Sequence, residues 1–543
     1  LAGGPDSSPS DILSSGAARG TALEAFGPAH RCARLRISHA FWNRSGFDPF
    51  LNLDVPYTGT SSGRLSEDAL EVALAAADKA DTASGLRILE IGAGTGVFAK
   101  LFLDRMKEIA PERYGSARYL VTDGSARMLE AQRAFGVLDD HRDVVSWRQL
   151  DAAEDWDDLE PFDVILGTYI LDSTPFDLLA LRDDRIWRKE VRCVLDHPDP
   201  DEIAAIRSAL DADDPDRLAG LARRAQLFGI QTRHVEIARD DIPHAGTIPS
   251  DTGGETLPFV HSRGALDCIE RCMSLLNPGG VAVFSDYGHV EPMQSHETTE
   301  FQAFGLSTAA GLNFPQIDAA FSARADLGYF APVLDQGNLI TRVLTRDPTM
   351  DLGALVEDLY GAVRHAAMTL PVETAREFLR GRMFETAREL YAKALDLQPR
   401  NWALLEEVAT MFQGSIEEHG IALELADLGL RLNPLSPGLW RVRAASFLAL
   451  GDQGAADAAI ARAAELAPAN PAMLECKAEV ALAGSRYREA LLAIGEALAH
   501  DLEGEHHESL LALQQSVLAR IATDQHVLLM AESNRFRALD TPP

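Results

Sequence analysis

The sequence predicts an α/β fold with a parallel, doubly wound sheet, carrying an inserted subdomain and followed by an all-α repeat domain. Three observations predict it. Residues 85–172 alternate β-rich runs with helical segments, the pattern of parallel strands joined by crossover helices. A glycine turn, Glu90-Ile-Gly92-Ala93-Gly94-Thr-Gly96, joins the first strand to the first helix of that region. From about residue 350 the pattern becomes continuous helix with an internal repeat.

The elements follow in order. Leu1 to Gly20 is rich in Gly, Ser, Pro and Ala and lacks the charged and apolar regions of a signal peptide, so residues 1–30 are expected to be a disordered leader. Ile88-Leu89 is a short apolar strand, and Val97 to Ile109 has helical periodicity. Arg118–Asp123 and Val144–Asp151 are strands that each end in an acid, with a helix from Ala126 to Phe135 between them. Phe162 to Asp172 is a buried strand. The sheet resumes after the turn Asn277-Pro-Gly-Gly280 with Val281–Tyr287, and ends with Gly328–Val333 and Asn338–Leu344. Residues 173–257 form an insertion with an extra strand (Arg185–Leu195), a helical stretch (Pro200–Phe228) and a mobile loop (Pro243–Gly254). An insertion of this size at a catalytic edge shapes substrate binding.

The C-terminal repeat is visible in three aligned segments. Ala387–Pro399, Ala422–Pro434 and Ala456–Pro468 share their pattern, and a fourth copy starting at Tyr487 lacks the proline. The three prolines lie 35 and 34 residues apart. This is the tetratricopeptide period, in which each repeat is a helix pair that needs a stacked neighbour. The expected organisation is a leader (1–30), an α/β domain (31–348) and a repeat domain (349–543), within the two to four domains that 543 residues suggest.

Composition narrows the function. A net charge of −32 and a pI near 4.8 disfavour a nucleic-acid binder, which needs clustered Lys and Arg. The same acidity is compatible with a basic protein substrate. No apolar stretch has the length of a membrane span. Five scattered cysteines show no disulfide framework, so a reducing, cytoplasmic location is expected. Cys268 and Cys272 near His261 make a poor zinc pattern and are read as core residues, so no metal is expected. His506-His507 is read as part of a solvated loop.

The glycine turn does not fit a dinucleotide site. That fingerprint is G-x-G-x-x-G, and counting from Gly92 its third glycine falls on Val97. The spacing here is G-x-G-x-G with Glu90 two residues ahead, which resembles motif I of class I S-adenosylmethionine (SAM) methyltransferases. The resemblance implies a seven-stranded sheet and SAM as cofactor. It implies that Gly92, Ala93, Gly94 and Gly96 pack against the ligand, with Glu90 orienting its amino acid end. Asp123 would accept from the ribose hydroxyls and Asp151 from the adenine amino group, with Gly124, Ala152 and Thr168 alongside.

Further motifs resemble a narrower family. Leu171-Asp172-Ser-Thr-Pro175, Trp187-Arg-Lys-Glu190-Val, Phe284-Ser-Asp286-Tyr287-Gly288 and Asn313-Phe-Pro-Gln-Ile-Asp318 occur in the order seen in the MidA-like methyltransferases, which include the mitochondrial complex I assembly methyltransferase. Asp54-Val-Pro-Tyr57-Thr-Gly-Thr-Ser61 is similar to the segment ahead of motif I in that family. The resemblance spans roughly residues 40–345 and implies arginine methylation of a protein. A guanidinium stays protonated and needs carboxylates to orient its planar fork. Asp172, Glu190 and Asp286 are the candidate catalytic acids, with Tyr57, Tyr169, Trp187 and Tyr287 as substrate-binding aromatics. The repeats would recruit a protein or peptide. The competing readings are a small-molecule methyltransferase whose repeats make a homodimer, and a non-catalytic scaffold.

Overall fold

The computed structural model describes residues 18–52, 62–79, 85–156, 158–182, 184–197, 199–249, 254–290, 301–304, 306–335, 337, 339–501 and 504–539. The chain divides into two compact units, at Leu370 and Pro371.

Among its described residues the first unit holds two large sheets and a two-stranded hairpin of Gln302–Phe304 with Ser307–Ala309. In chain order its principal strands are β1 (Arg87–Ile91), β2 (Arg118–Asp123), β3 (Val145–Gln149), β4 (Phe162–Thr168), β5 (Asp177–Arg182), β6 (Arg185–Leu195), β7 (Gly229–Ile237), β8 (Leu257–His261), β9 (Leu276–His289), β10 (Gly328–Phe330) and β11 (Leu339–Thr345). The larger sheet runs β10-β11-β9-β4-β1-β2-β3, and the two-residue strand Leu312–Asn313 adds to β9. That makes eight strands where seven were expected. β1, β2, β3, β4 and the second half of β9 are parallel, whereas β11 is antiparallel to both β9 and β10. Four of the five residues of β1 are buried, as are five of the seven of β4, so these strands read as near-continuous apolar runs.

The core explains why the sheet closes here. Leu89 and Ile91 of β1, Ile165 of β4, Ala282 and Phe284 of β9, and Ile340 and Leu344 of β11 pack with Leu266, Ile269 and Cys272 of the helix Arg263–Leu275. Phe314, Ile317 and Phe321 of the helix Phe314–Phe321 complete that layer. Cys268 and Cys272 are fully buried side chains of this core. The helix Arg64–Lys79 packs on β4, β9 and the helix Val97–Ile109.

The insertion builds most of a second, antiparallel sheet, which Thr21–Ala22 joins from the segment expected to be a disordered leader, where Leu23 and Ala29 are buried. Its order is Thr21–Ala22, β6, β5, β8, with β7 also on β6. The extra strand is β6, as expected. The single helical stretch over 200–228 is three short helices instead, Pro200–Ala212, Pro215–Ala219 and Ala222–Ala225. Asp199 caps the first of them, and Asp214 caps a new N-terminus ahead of Pro215, which breaks the run there. The segment expected to be a mobile loop is pinned over 243–248. Pro243 O accepts from His261 Nε2 at 2.8 Å, Thr247 Oγ1 accepts from Gln316 at 2.8 Å, and Ile248 is buried.

The second unit is helical throughout its described residues. Phe384–Leu397, His419–Leu432, Gln453–Leu466 and Tyr487–His500 begin 35, 34 and 34 residues apart. Trp402–Met411, Pro437–Ala449 and Pro471–Ala483 alternate with them. Each of the first three ends two residues before Pro399, Pro434 or Pro468. Side chains of Asn401, Ser436 and Asn470 cap the alternating helices. Small residues recur where neighbours press closest: Ala387, Ala422, Ala456 and Ala490 are fully buried in equivalent places. At Gly429 a side chain would lie 2.7 Å from Leu439 Cδ1. His506 lies in a turn, as expected, where it is hydrogen-bonded to Glu475 Oε2 at 2.7 Å, whereas His507 opens the helix His507–Leu539.

One buried cation braces the edge of the larger sheet. Arg342 on β11 is 3% exposed and bonds Asp318 at 2.8 Å and Asp335 at 2.7 Å, with its guanidinium over Phe314. Arg342→Met should leave two carboxylates without their partner and lower stability by about 3–5 kcal/mol. Urea unfolding of the purified variant checks this, and a loss under ~1 kcal/mol would overturn it.

Candidate functional site

The order of the larger sheet reverses on either side of β1, which is flanked by β4 and β2. Ligands bind open α/β sheets outside the carboxyl ends of the strands at such a point. Glu90, Gly92, Ala93, Gly94 and Gly96 lie there, at the end of β1. Gly92, Gly94 and Gly96 have φ of +70°, +53° and +77°, a conformation other residues adopt only at a cost. Among the described residues a side chain on Gly94 would meet only Phe50 Cζ, at 3.6 Å, so they leave this face of the loop open.

Hydrogen bonds tie the loop to its neighbours. Ala93 N–H donates to Thr122 O at 2.8 Å and Gly94 N–H to Asp123 Oδ2 at 3.0 Å. Gly94 O accepts from Gln132 Nε2 at 2.8 Å, while Gln132 Oε1 accepts from Trp147 Nε1 at 3.0 Å. Asp123 Oδ1 accepts from Ser125 N–H at 2.9 Å, so both carboxyl oxygens are anchored, each with a lone pair left over. Asp151 lies across from Gly124, with its Oδ2 4.0 Å from where a side chain on that glycine would begin. Ala152 is buried, and its carbonyl accepts from Arg271. Thr168 is half-buried at the end of β4, in register with Ser285.

Among the described residues no cation forms an ion pair with the acids of this site. Glu90 is 4% exposed and accepts from Tyr119 Oη at 3.0 Å. Burial pushes its carboxyl up to about 8, Asp123 adds to the rise, and the Tyr119 bond opposes it. Burial likewise raises Asp123 to about 6, against the pull of the Ser125 and Gly94 N–H groups.

A second group lies at the ends of β4 and β9. Tyr169 has φ +52° and is 40% exposed. Its hydroxyl is raised to about 12 by burial and by Asp286, Asp172 and Tyr287, which places these four side chains in one neighbourhood. Asp172 is raised to about 6 by burial, opposed by the Ser173 N–H. Asp286 is raised further by burial and by Asp172. Ile170 packs against Gly92, joining this group to the glycine loop.

Two candidates stand elsewhere. Glu190 and Trp187 lie on β6 of the antiparallel sheet. Glu190 Oε2 accepts from Nε and a terminal nitrogen of Arg233 at 2.8 and 2.6 Å, so this carboxylate serves a cross-strand pair. Trp187 packs beneath the Arg185 guanidinium, 4.9 Å from its ring centre. Tyr57 lies outside the described residues. Sequence reasoning missed Gln132, Tyr119 and Phe50. Nothing in a helical glutamine marks it as a clamp on a loop 38 residues away. The run of aromatics Phe41, Trp42, Phe47 and Phe50 was the available sign that residues 33–51 cover the site. Within it Trp42 and Phe50 lie 5.3 Å apart, and Asn43 O accepts from Ser125 Oγ at 3.1 Å.

Residues 69–305, less than half of the chain, match the family model described as "putative S-adenosyl-L-methionine-dependent methyltransferase". No match was found among curated proteins. Among solved structures, an uncharacterized protein from Burkholderia thailandensis is 19% identical over 59% of this chain and 75% of its own, with a TM-score of 0.35. Another protein from that organism, solved with S-adenosyl-homocysteine, is 20% identical over 61% and 71%, with a TM-score of 0.32. The plantazolicin methyltransferase BpumL, also solved with that product, is 10% identical over 58% and 96%, with a TM-score of 0.29. The family match supports a SAM-dependent methyltransferase and assigns SAM as the cofactor. The residues present fit it: an open glycine cradle suits close backbone approach, and buried acids without cations suit a ligand bearing positive charge and hydroxyls.

Two outcomes are expected. Gly94→Asp should abolish S-adenosyl-homocysteine binding in calorimetry while the far-ultraviolet circular dichroism is kept, and unchanged affinity would sink the site. Glu90 binds a proton in the folded chain that the unfolded chain releases near its ordinary 4.5. Its stabilising contribution is therefore full below that value and lost as pH rises through about 8. Glu90→Gln should remove this slope, gaining on wild type by a few kcal/mol (~1.4 per pH unit) between pH 5 and 8. Parallel stability curves for the two proteins would refute the assignment.

Proposed function

We propose that the chain transfers a methyl group from SAM to a protein or peptide, at an arginine side chain, and that its C-terminal helices are tetratricopeptide repeats that recruit this polypeptide. The observation that carries the reading is the place of Asp172, in the turn after β4 that Ile170 seats against Gly92 of the glycine loop, where burial raises its carboxyl to about 6. It stands at the end of β4 with Tyr169, Asp286 and Tyr287 around it. A guanidinium there would gain a charge-assisted hydrogen bond and two aromatic neighbours.

Bound at the glycine loop, the cofactor supplies an electrophilic methyl group. The chain's own residues then orient the acceptor. Asp172 holds the guanidinium fork and takes up the proton released as the nitrogen is methylated. Tyr169 and Tyr287 flank the planar group and exclude water. Most of the rate would come from holding the reacting atoms in line and in contact. Chain acidity favours a basic polypeptide, and the MidA-like resemblance favours arginine within it.

Cell lysate supplied with radiolabelled SAM and this protein, then split into protein and metabolite fractions, tests the reading. Label is expected in protein and, after acid hydrolysis, in methylated arginine. Asp172→Asn should lower it by at least about 100-fold while binding S-adenosyl-homocysteine normally. Label confined to metabolites would replace this reading with a small-molecule methyltransferase.

A further inference from the structure

Asp286 was expected to be a catalytic acid, and its contacts give it different work. It is 1% exposed. Its Oδ2 accepts the backbone N–H groups of Ile170 at 3.0 Å, Leu171 at 2.7 Å and Asp172 at 3.3 Å. Its Oδ1 accepts the N–H of Tyr287 at 2.7 Å. Three donors converge on Oδ2 and one on Oδ1, so both carboxyl oxygens are engaged by the chain's own backbone. Successive amides turned toward one point form a nest that elsewhere receives an external anion. Here the chain fills the nest with its own side chain.

The turn so held is unusual on its own account. It starts at Tyr169, whose left-handed backbone costs on the order of 1 kcal/mol and needs support from its surroundings. Support comes from Tyr169 N–H, which donates to Ser285 O at 2.9 Å. Ile170 then fills the space beside Gly92, where a side chain on that glycine would lie 2.7 Å from Ile170 Cδ1. The cofactor loop, by contrast, is held by Asp123, Gln132 and Thr122, none of which involves Asp286.

We propose that Asp286 is a positioning residue that locks the Tyr169–Asp172 turn in the conformation presenting Tyr169 and Asp172 to the methyl acceptor, and that it carries no proton in the transfer. The inference rests on the acceptor site argued above.

Two substitutions separate positioning from proton transfer. Asp286→Asn keeps an acceptor oxygen for the three turn amides and gives up only the Tyr287 bond. Asp286→Ala removes all four. In the full-length protein, transfer of label to lysate protein should fall less than about tenfold in the first and at least about 100-fold in the second. Both should bind S-adenosyl-homocysteine within about threefold of wild type, because the loop has its own anchors. Loss of activity in Asp286→Asn as deep as in Asp286→Ala would make Asp286 a proton carrier and overturn the proposal. Loss of product affinity in proportion to activity would reduce its role to general stability and also overturn it. Hydrogen exchange of the 170–172 amides reads the lock without turnover: protection should be lost in Asp286→Ala and kept in Asp286→Asn. If wild type labels no protein, the acceptor reading fails, while amides still protected in Asp286→Ala would refute the lock itself.

Discussion

Everything at this site depends on the chain reversing direction within a few residues of the end of β1. Three alternating left-handed glycines make the reversal, and no other residue type could take those backbone angles without strain. The turn fixes where Gly94 offers its amide and its carbonyl. The amide finds Asp123 at the end of β2, and the carbonyl finds Gln132, which in turn holds Trp147 of β3. The carboxyl ends of β1 and β2, and through Gln132 the middle of β3, are thus connected through one residue that has no side chain. On the other side, Ile170 can rest on Gly92 because no side chain is there.

The second constraint is charge. Glu90, Asp123 and Asp172 lie at or just past strand ends where burial raises their proton affinity. Burying an acid without a cation is unfavourable, and a fold keeps such groups where a ligand completes them. The rest of the acidic chain shows the contrast. Asp318 and Asp335 share Arg342, and Asp177 has Arg263. These scaffold carboxylates have cations, and among the described residues none forms an ion pair with Glu90, Asp123 or Asp172.

The fold was legible where local rules dominate. Arg118–Asp123 is a strand with the bounds read from its β-rich composition, and β6 begins and ends where Arg185–Leu195 was placed. The helical repeat was legible because its prolines and alanines recur at one period. Reading failed where distant contacts decide. Asn277-Pro-Gly-Gly280 looks like a free turn, yet it lies inside β9 at a register shift against β4. Glu190 looked like a mouth residue because its pairing with Arg233 is written 43 residues away. Asp286 stood out in the sequence as an acid after a strand, but the three amides it accepts lie more than a hundred positions earlier. Sequence periodicity carries no record of such contacts.

The antiparallel insertion has a consequence for how this chain reaches its fold. β4 and β9 are neighbours in the larger sheet, yet everything from Tyr169 to Leu275 separates them, including the strands β5 to β8. Closing so long a loop costs chain entropy before the pairing returns anything. The cost falls if the inserted sheet collapses first on its own apolar cluster, bringing its two ends together. Topology of this kind slows folding more than it lowers final stability. The insertion therefore sets the pace at which the larger sheet can close, and the Tyr169–Asp172 turn, clasped by Asp286 of β9, can be made only once that closure is complete.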